Sequence, residues 1–289
     1  MNVLVTGSGT LLGNSICQFL AKKKINVIAT YRKHFPKNLK KHRFIKLKKL
    51  DLTKNFEIDE QIDALVHCAS AIPDYKLSNK LMMETNYIGF KRLLLKLSNT
   101  NCKKIILIST LSIYGNINCK TLTEKYKGKQ LCHYGKTKLL MEDYLSRFSK
   151  SKSVTSIIFR LPGIIGYRSE HNFLSGVLSK IKFNKKIKIS HPNFKFNNLI
   201  HAKNLAQIIY KALLKENRNK IYNLANKHPM KLSNIIDYLF LKFKKDKNYE
   251  IVKTNTKPFN IKLSKNLLKN YHIFSVRKSL DTFFNENKL

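Results

Sequence analysis

A tyrosine and a lysine four residues apart, Tyr134 and Lys138, could carry out acid–base chemistry in this sequence. Residues at this spacing share one face of a helix. Because a lysine cation favours the phenolate, we expect Lys138 to lower the pKa of Tyr134. Such a phenol can donate or accept the proton that moves when an alcohol and a ketone interconvert. Thr110, 24 residues before Tyr134, follows an apolar stretch, where parallel sheets place ligands.

The start of the chain carries a second pattern of chemical interest. An apolar stretch at residues 2–6 leads into a glycine-containing turn, and residues 11–23 then have helical periodicity. A strand, a glycine turn and a helix in this order can hold a dinucleotide, whose diphosphate lies at the helix N-terminus. The candidate cofactor contacts in this turn are Gly7, Gly9, Thr10, Leu11, Leu12 and Gly13.

Strand and helix patterns alternate through the first half of the chain. Further apolar stretches predict strands at residues 26–31, 44–50, 64–69, 104–109 and 156–160. Helical periodicity lies between them at residues 82–98 and 134–148. This alternation predicts an α/β fold, a doubly wound parallel sheet of the Rossmann type with helices on both faces. We place this dinucleotide-binding domain at residues 1–165, followed at 166–289 by a small C-terminal α+β lobe interleaved with the main sheet.

The net charge of the chain is strongly positive, at +39 for 56 Lys and Arg against 17 Asp and Glu. Most of the basic residues are lysines, and they are spread along the chain instead of being gathered in one stripe. Together with abundant Asn and Ile, this is typical of an A/T-rich coding sequence, so we expect no specific nucleic-acid partner. The charge should still attract anionic substrates in a salt-dependent way.

The cysteines and the hydropathy of the chain bear on its location. The five cysteines are odd in number and lack C-x-x-C spacing, which favours reduced thiols and argues against a zinc site. No stretch reaches the ~18 apolar residues of a membrane span, and the first residues do not resemble a signal peptide. We therefore expect a cytoplasmic protein with no metal centre and no membrane contact.

Several short segments occur in an order that is specific to one superfamily. They are residues 6–13 (TGSGTLLG), 51–53 (DLT), 66–71 (VHCASA), 86–89 (NYIG), 109–115 (STLSIYG), 134–138 (YGKTK) and 160–168 (RLPGIIGYR). With these segments the chain resembles the extended branch of the short-chain dehydrogenase/reductases, a group of NAD(P)-dependent nucleotide-sugar epimerases, dehydratases and reductases. The resemblance covers nearly the whole chain, but it does not specify a substrate.

The resemblance implies a role for each candidate residue. Tyr134 exchanges a proton with the substrate hydroxyl or carbonyl, Lys138 also binds the nicotinamide ribose, and Thr110 hydrogen-bonds the reacting oxygen. Further cofactor contacts are implied at Asp51, Leu52, Ala69 and Asn86. The candidate substrate contacts are Ser70, Arg168 and His171, and the C-terminal lobe is implied to bind the substrate.

One position departs from the family pattern. The middle glycine of the turn falls at Thr10, with Gly9 one place early. Since glycine lets the backbone approach the diphosphate, a Cβ at residue 10 should either crowd it or shift the turn by one position.

The cofactor prediction depends on the residues after the second strand. NAD-selective sites usually place Asp or Glu there, against the ribose 2′-OH, whereas Arg accommodates a 2′-phosphate. Residues 29–33 (ATYRK) contain no acid. We therefore favour NADP over NAD, with Arg32 as the partner of the phosphate and Lys33 as a second cation.

Leu111 and Ser112 reduce the number of possible reactions. They occupy the positions where dehydratases of the family carry an Asp-Glu pair. This argues against a 4,6-dehydratase and leaves a 4-epimerase, a 4-keto-sugar reductase or a reductase that also epimerises. Two alternatives stay open: a non-catalytic NAD(P)-binding regulator or RNA-associated protein, and a reductase of a non-sugar carbonyl. Relatives commonly dimerise through the helices at residues 82–98 and 134–148, so a homodimer is a further expectation.

Overall fold

The computed structural model of this protein describes residues 1–73, 77–169 and 172–287. Its strands, in chain order, are β1 (Asn2–Thr6), β2 (Asn26–Tyr31), β3 (Ile45–Lys49), β4 (Ala64–His67), β5 (Lys104–Thr110), β6 (Thr121–Leu122), β7 (Thr155–Leu161), β8 (Gly163–Ile165), β9 (Ile187–Ile189), β10 (Lys195–Phe196), β11 (Leu199–His201), β12 (Lys220–Asn223), β13 (Met230–Lys231), β14 (Tyr249–Ile251) and β15 (Asn260–Ile261). Its α-helices are α1 (Leu11–Lys22), α2 (Asn79–Met83), α3 (Gly89–Leu97), α4 (His133–Ser151), α5 (Phe173–Lys182), α6 (Ala202–Lys215), α7 (Leu232–Phe243), α8 (Lys265–Asn270) and α9 (Val276–Asn287). Shorter helical segments are the 3₁₀ turns Lys37–Leu39 and Leu111–Tyr114 and the π-helical segment Glu84–Ile88, which joins α2 to α3.

Within the described residues, one sheet of seven strands runs in the order β12-β7-β5-β4-β1-β2-β3. Its central strands are continuous apolar stretches, as expected of parallel strands that are buried on both faces. β1 pairs in parallel with both β2 and β4. The chain order reverses between β1 and β4, and doubly wound sheets bind ligands at the carboxyl ends of the strands beside such a switch point. The α/β, doubly wound fold of the Rossmann type that the sequence predicts is confirmed.

The first compact unit contains this sheet and comprises Met1–Asn116, Lys127–Arg160 and Leu205–Tyr222. In its core, Phe90 and Leu94 of α3 belong to one buried cluster with Met141 and Leu145 of α4. The cluster continues into the sheet through Leu4, Leu65 and Leu107. Burial of these apolar side chains, at roughly 25 cal/mol per Å², anchors α4, which carries Tyr134 and Lys138, on the sheet.

The second compact unit comprises Ile117–Tyr126, Leu161–Asn204 and Asn223–Leu289. Its core joins α5, α7 and α9 through side chains that include Leu178, Ile181, Ile235, Leu239 and Phe284. The unit also contains two-stranded pairs, β8 with β11 and β9 with β14. The domain boundary at residue 165 and the assignment of the C-terminal lobe to the substrate stay predictions.

The described residues bear on membrane insertion and on metal binding. In this part of the chain, no helix combines the length and apolarity needed to cross a membrane. The same residues hold no group of three or more His, Cys, Asp or Glu side chains that could bind a metal ion. The cytoplasmic location expected from the sequence stays a prediction.

A buried histidine of the second unit links stability to pH. His201 is fully buried, and its Nδ1 accepts a hydrogen bond from the Lys203 backbone N–H at 3.1 Å. Its Nε2 lies 3.3 Å from Oε2 of Glu286 in α9. Burial lowers the pKa of His201 to about 4, although the Glu286 carboxylate opposes the shift.

Acidification is therefore expected to destabilise the protein through His201. The unfolded chain binds a proton at this residue near pH 6.5, whereas the folded protein does so only near pH 4, so stability falls across that window. We expect a loss of about 3 kcal/mol from this group between pH 7 and 4, absent in His201→Gln. Urea unfolding followed by circular dichroism measures it, with the exposed His272→Gln as control. Equal pH slopes in His201→Gln and the wild type would contradict the prediction.

Candidate active site

The turn after β1 depends on two glycines. Gly7 has a left-handed backbone, with a φ of +75°, which favours glycine. A Cβ placed on Gly13, in the first turn of α1, would overlap the carbonyl oxygen of Gly7. The helix therefore begins in direct contact with the end of the strand, beside the switch point of the sheet.

Thr10, the residue that departs from the expected glycine pattern, is the N-cap of α1. Its hydroxyl accepts a hydrogen bond from the Gly13 N–H at 3.2 Å and donates one to the Gly7 carbonyl at 2.8 Å. Gly9 makes a close contact of another kind, since a Cβ there would overlap the carbonyl oxygen of His34 in the loop after β2. The Thr10 hydroxyl is held within the turn, and the effect of its Cβ on a bound diphosphate stays a prediction.

A cleft of about 180 Å³ opens beside this turn. Its lining residues are Thr6, Gly7, Gly9, Thr10, Thr30, Tyr31, Arg32, Lys33, His34, Leu50, Leu52, Ala69, Ser70, Ala71 and Thr85. A neighbouring cavity of about 680 Å³ is lined by Tyr31, Arg32, Lys33, Phe35, Lys49, Leu50, Asp51, Lys54, Asn55 and Phe56. Most of the predicted cofactor contacts therefore line one of these two spaces. The exceptions are Leu11, Leu12, Gly13, Asn86 and Lys138.

These features fit a dinucleotide. The N–H groups of Leu11 and Leu12, in the first turn of α1, have no acceptor within the helix and suit a diphosphate. The Asp51 carboxylate accepts hydrogen bonds from the N–H and the hydroxyl of Thr53, at 3.0 and 2.8 Å. Burial opposes ionisation, but these bonds and the Arg32 charge lower the pKa of Asp51. An ionised Asp51 is then an acceptor in the second cavity.

Tyr134 and Lys138 lie in α4 beside the end of β5. Tyr134 is in the first turn of the helix, and Lys138 is one turn later, with its Nζ 5.9 Å from the centroid of the Tyr134 ring. Lys138 is buried, and its Nζ donates a hydrogen bond to the Ile108 carbonyl of β5 at 3.0 Å. A Cβ on Gly135 would overlap the carbonyl oxygen of Ser112. The helix therefore begins directly against the 3₁₀ turn that follows β5.

Thr110 ends β5, and its hydroxyl is engaged locally. The Thr110 Oγ1 accepts a hydrogen bond from the Ser112 N–H at 3.1 Å and donates one to the Ser112 Oγ at 3.2 Å. Thr110 thus caps the 3₁₀ turn, as an ordinary polar residue at a strand end can do. The two hydroxyls form one polar pair at the carboxyl end of β5.

The pKa of Tyr134 differs from the value expected from the sequence. Burial raises the pKa of Tyr134, while its hydrogen bond with Ser70 acts in the opposite direction. Burial also lowers the pKa of Lys138 to about 8. The expectation that Lys138 lowers the pKa of Tyr134 is therefore wrong for this structure. The Lys138 Nζ donates to the Ile108 carbonyl. Burial of the phenol is the largest influence on the Tyr134 pKa, and it raises that pKa.

Comparison with known proteins decides the family. The model of the NAD dependent epimerase/dehydratase family matches residues 3–225. The chain belongs to this family. A UDP-glucose 4-epimerase from Lactobacillus helveticus is 23% identical over 255 residues, which are 79% of this chain and 77% of that protein. A GDP-6-deoxy-D-talose 4-dehydrogenase from Aggregatibacter actinomycetemcomitans is 24% identical over 237 residues, covering 78% of this chain and 74% of the relative.

A solved structure of an epimerase has the same fold as this chain. The UDP-glucuronic acid 4-epimerase from Bacillus cereus, in complex with NAD, has a TM-score of 0.85 at 20% identity and covers 100% of this chain and 99% of its own. Membership in the NAD dependent epimerase/dehydratase family confirms the resemblance to the extended short-chain dehydrogenase/reductases and the prediction of an enzyme of that type. The roles of individual residues depend on the geometry of this chain.

Asn86 connects the loop after β4 to the helix that carries Tyr134. It lies in the π-helical segment, a distortion that is frequent at functional sites. Its Oδ1 accepts hydrogen bonds from the Ala71 N–H at 2.7 Å and the Ser70 hydroxyl at 3.2 Å. Its Nδ2 donates to the Ala71 carbonyl at 3.0 Å and to the Thr137 Oγ1 at 3.2 Å. Asn86 therefore shapes the site through its neighbours instead of lining the cleft.

The hydroxyl of Thr6 is a contact that sequence reasoning missed. The Thr6 Oγ1 accepts hydrogen bonds from the N–H groups of Cys68 and Ala69, both at 3.1 Å, so its own proton is directed to His67 Nδ1 at 3.0 Å. Burial keeps the pKa of His67 well below its ordinary value, so this acceptor stays neutral. The signal in the sequence is a threonine at the end of the buried strand β1 and a histidine at the end of the buried strand β4, which pairs with β1.

The structure places the three candidate substrate contacts differently. Ser70 lines the cleft, its hydroxyl donates to Asn86 Oδ1, and its side chain lowers the pKa of Tyr134 against the effect of burial. Arg168 belongs to the second compact unit, where it is exposed, has a φ of 53° and places its guanidinium 5.1 Å from the centroid of the Tyr167 ring. His171 lies outside the described residues. Ser70 and Tyr134 belong to the first compact unit, and the substrate role of Arg168 stays a prediction.

Proposed function

We propose that this family member is an NAD(P)-dependent epimerase or keto-sugar reductase that acts on a nucleotide-linked sugar. The observation that carries the proposal is the Tyr134 phenol, which lies one helical turn from the buried Lys138, with the Lys138 Nζ 5.9 Å from the centroid of its ring. The UDP-glucose 4-epimerase and the GDP-6-deoxy-D-talose 4-dehydrogenase support the substrate class, and the second favours the reductase alternative. The net charge of +39 would attract the anionic diphosphate of such a substrate.

Each residue has a stated task in this proposal. The cofactor, when bound, supplies the hydride acceptor or donor. Since burial raises the pKa of Tyr134, its phenol is protonated at neutral pH and can donate to the reacting oxygen. A donor there stabilises the negative charge that develops when a ketone is reduced. The hydroxyl pair of Thr110 and Ser112 is the second donor, and Lys138 binds the ribose.

The cofactor that we propose is NADP, with Arg32 at its 2′-phosphate. Arg32 and Lys33 line both cavities, and Lys49 and Lys54 add positive charge to the second one. Guanidinium groups match the oxygens of a phosphate with two charge-assisted hydrogen bonds. The Bacillus cereus structure is a complex with NAD, which is therefore the alternative that a test must separate.

Replacement of Arg32 by Ala is expected to raise the Kd for NADPH by roughly tenfold to a hundredfold, because charge-assisted hydrogen bonds to the 2′-phosphate are lost. The Kd for NADH should change by less than about threefold, since NADH has no group at that position. Fluorescence titration of both cofactors measures the two constants. Arg43→Ala is the control, because Arg43 stacks on Phe44 instead of lining a cavity. An unchanged affinity for NADPH in Arg32→Ala would rule out this assignment.

The proposed function is tested first on the purified protein. Mass spectrometry identifies any retained cofactor, and interconversion of UDP-glucose and UDP-galactose is then assayed beside NADPH oxidation with a nucleotide-linked 4-keto sugar. Retained NAD with sugar interconversion supports the epimerase, and exchangeable NADPH that is consumed supports the reductase. Failure to bind either cofactor, together with salt-resistant RNA binding, would favour the non-catalytic alternative.

A homodimer through α3 and α4 is also part of the proposal. Leu95 of α3 and Leu140 of α4 are large apolar side chains that are exposed in the single chain, by 51% and 37%. Burial of such residues against a second copy would favour association. Light scattering of the purified protein measures its mass, and a monomer at working concentration would refute this expectation.

A further inference from the structure

A buried ion pair connects α4 to β7 in the first compact unit. The side chains of Glu142 and Arg160 are 3% and 10% exposed. The Arg160 Nη2 donates to Glu142 Oε2 at 2.7 Å, and its Nε donates to both carboxylate oxygens at 3.1 and 3.2 Å. Further bonds extend the pair: the Ser109 hydroxyl donates to Glu142, and the Arg160 Nη1 donates to the Tyr114 hydroxyl oxygen at 2.7 Å.

The four residues of this network surround the candidate catalytic groups. Glu142 follows Lys138 by four residues and Tyr134 by eight, so all three share one face of α4. Ser109 directly precedes Thr110, and Tyr114 ends the 3₁₀ turn that Thr110 caps. The network therefore holds both ends of the Thr110 segment and the helix of Tyr134 through one ion pair.

Stability alone does not explain a buried pair of this kind. Removing two charges from water costs several kcal/mol, and a well-packed apolar pair of similar size is often equally stable or more so. What the ion pair adds is geometry, because a bidentate guanidinium and carboxylate fix both distance and orientation.

We propose that the Glu142–Arg160 ion pair is a positioning device that sets Tyr134 and Lys138 of α4 against Thr110 at the end of β5. The inference rests on the proposed function, since it takes these three residues to carry the chemistry. Glu142 and Arg160 touch neither of the two cavities, so their effect acts through the residues that they hold.

The charge of Glu142 has a second consequence for Lys138. The titratable groups around the Lys138 amine are Tyr134 and Glu142 on α4, and His67 and Cys68 at the end of β4. Burial keeps His67 neutral and raises the pKa of the Cys68 thiol to about 12, and Glu142 supplies the carboxylate that is paired with Arg160. Burial lowers the pKa of Lys138 to about 8, and Glu142 opposes that shift. Loss of its charge should therefore let Lys138 lose its proton at a lower pH.

The test compares single variants of the pair with the double variant Glu142→Leu/Arg160→Met. Either Glu142→Gln or Arg160→Met alone should lower the Tm by about 10 °C, because one buried charge is left without its partner. The double variant should regain most of that Tm. Its kcat should still be roughly tenfold to a hundredfold below the wild type, with KM changed less than about threefold, because the geometry is lost. In Glu142→Gln, which loses the carboxylate and keeps the Arg160 charge, the alkaline limb of the kcat profile and of the Kd for the cofactor should move to lower pH.

Controls keep the outcome decisive. Glu57→Gln removes an exposed ion pair with Lys96 and should leave kcat and the pH profiles unchanged. Tyr114→Phe removes one hydroxyl of the network and should lower kcat with little loss of Tm. This variant tests the positioning role even if the double variant does not fold. A wild-type kcat in the folded double variant, or in Tyr114→Phe, would overturn the positioning role, and an unshifted alkaline limb in Glu142→Gln would contradict the effect of the Glu142 charge on Lys138. Full activity in Tyr134→Phe would instead overturn the proposed function, whatever the pair does.

Discussion

Replacement of Tyr134 by Phe is expected to lower turnover by about a thousandfold, since it removes the proposed proton donor and acceptor. The ring of Tyr134 stays in place, so the fold and the cleft should be preserved. The phenol is buried, and the side chain of Ser70, which lines the cleft, influences its pKa. The measurements are kcat with the best substrate found, and cofactor affinity by fluorescence titration.

The matched control for this variant is Tyr144→Phe. Tyr144 lies on the same helix, but its ring packs against Tyr87 and Phe148, away from the cleft. We expect Tyr144→Phe to retain turnover within about twofold, as is usual for a small change outside a site. Cofactor affinity should stay within about threefold in both variants. If Tyr134→Phe turned over substrate as fast as Tyr144→Phe, the assignment of Tyr134 would have to be abandoned.

Much of the fold could be predicted from the periodicity of the sequence. The apolar stretches at residues 2–6 and 26–31 are strands at those positions, because parallel strands buried on both faces need continuous apolar side chains. The helix predicted at residues 134–148 extends to His133–Ser151, since caps and final turns leave little trace in an apolar pattern. Short two-residue strands such as Thr121–Leu122 have no periodic signal of their own.

The details of the site depend on contacts that the sequence does not display. The need for a glycine at position 9 follows from the backbone of His34, which lies 25 positions later and leaves no room for a Cβ there. The pKa of Tyr134 depends on where the Lys138 Nζ is directed, and it is directed at a backbone carbonyl. Glu142 and Arg160 could be noticed as charges in apolar surroundings, but their pairing depends on how α4 packs on β7.

Replacement of Gly13 by Ala is expected to have the second large effect, on cofactor binding and on stability together. The added Cβ would overlap the carbonyl oxygen of Gly7, so α1 must move away from the end of β1. Overpacking of this kind costs about 3 kcal/mol of unfolding free energy. A displaced turn no longer presents its N–H groups to a diphosphate, so we expect the Kd for the cofactor to rise by about a hundredfold. Chemical denaturation and fluorescence titration measure the two quantities.

Gly176→Ala separates this steric effect from the general consequences of replacing a helical glycine. Gly176 lies within α5, and a Cβ there would meet no atom within 4 Å. Because Ala is the better helix former, this variant should be more stable by about 0.5–1 kcal/mol, with cofactor affinity unchanged. Opposite signs in the two alanine variants are therefore the expected result. If Gly13→Ala were as stable as Gly176→Ala and bound the cofactor as tightly as the wild type, the close contact of Gly13 with Gly7 would not govern the turn.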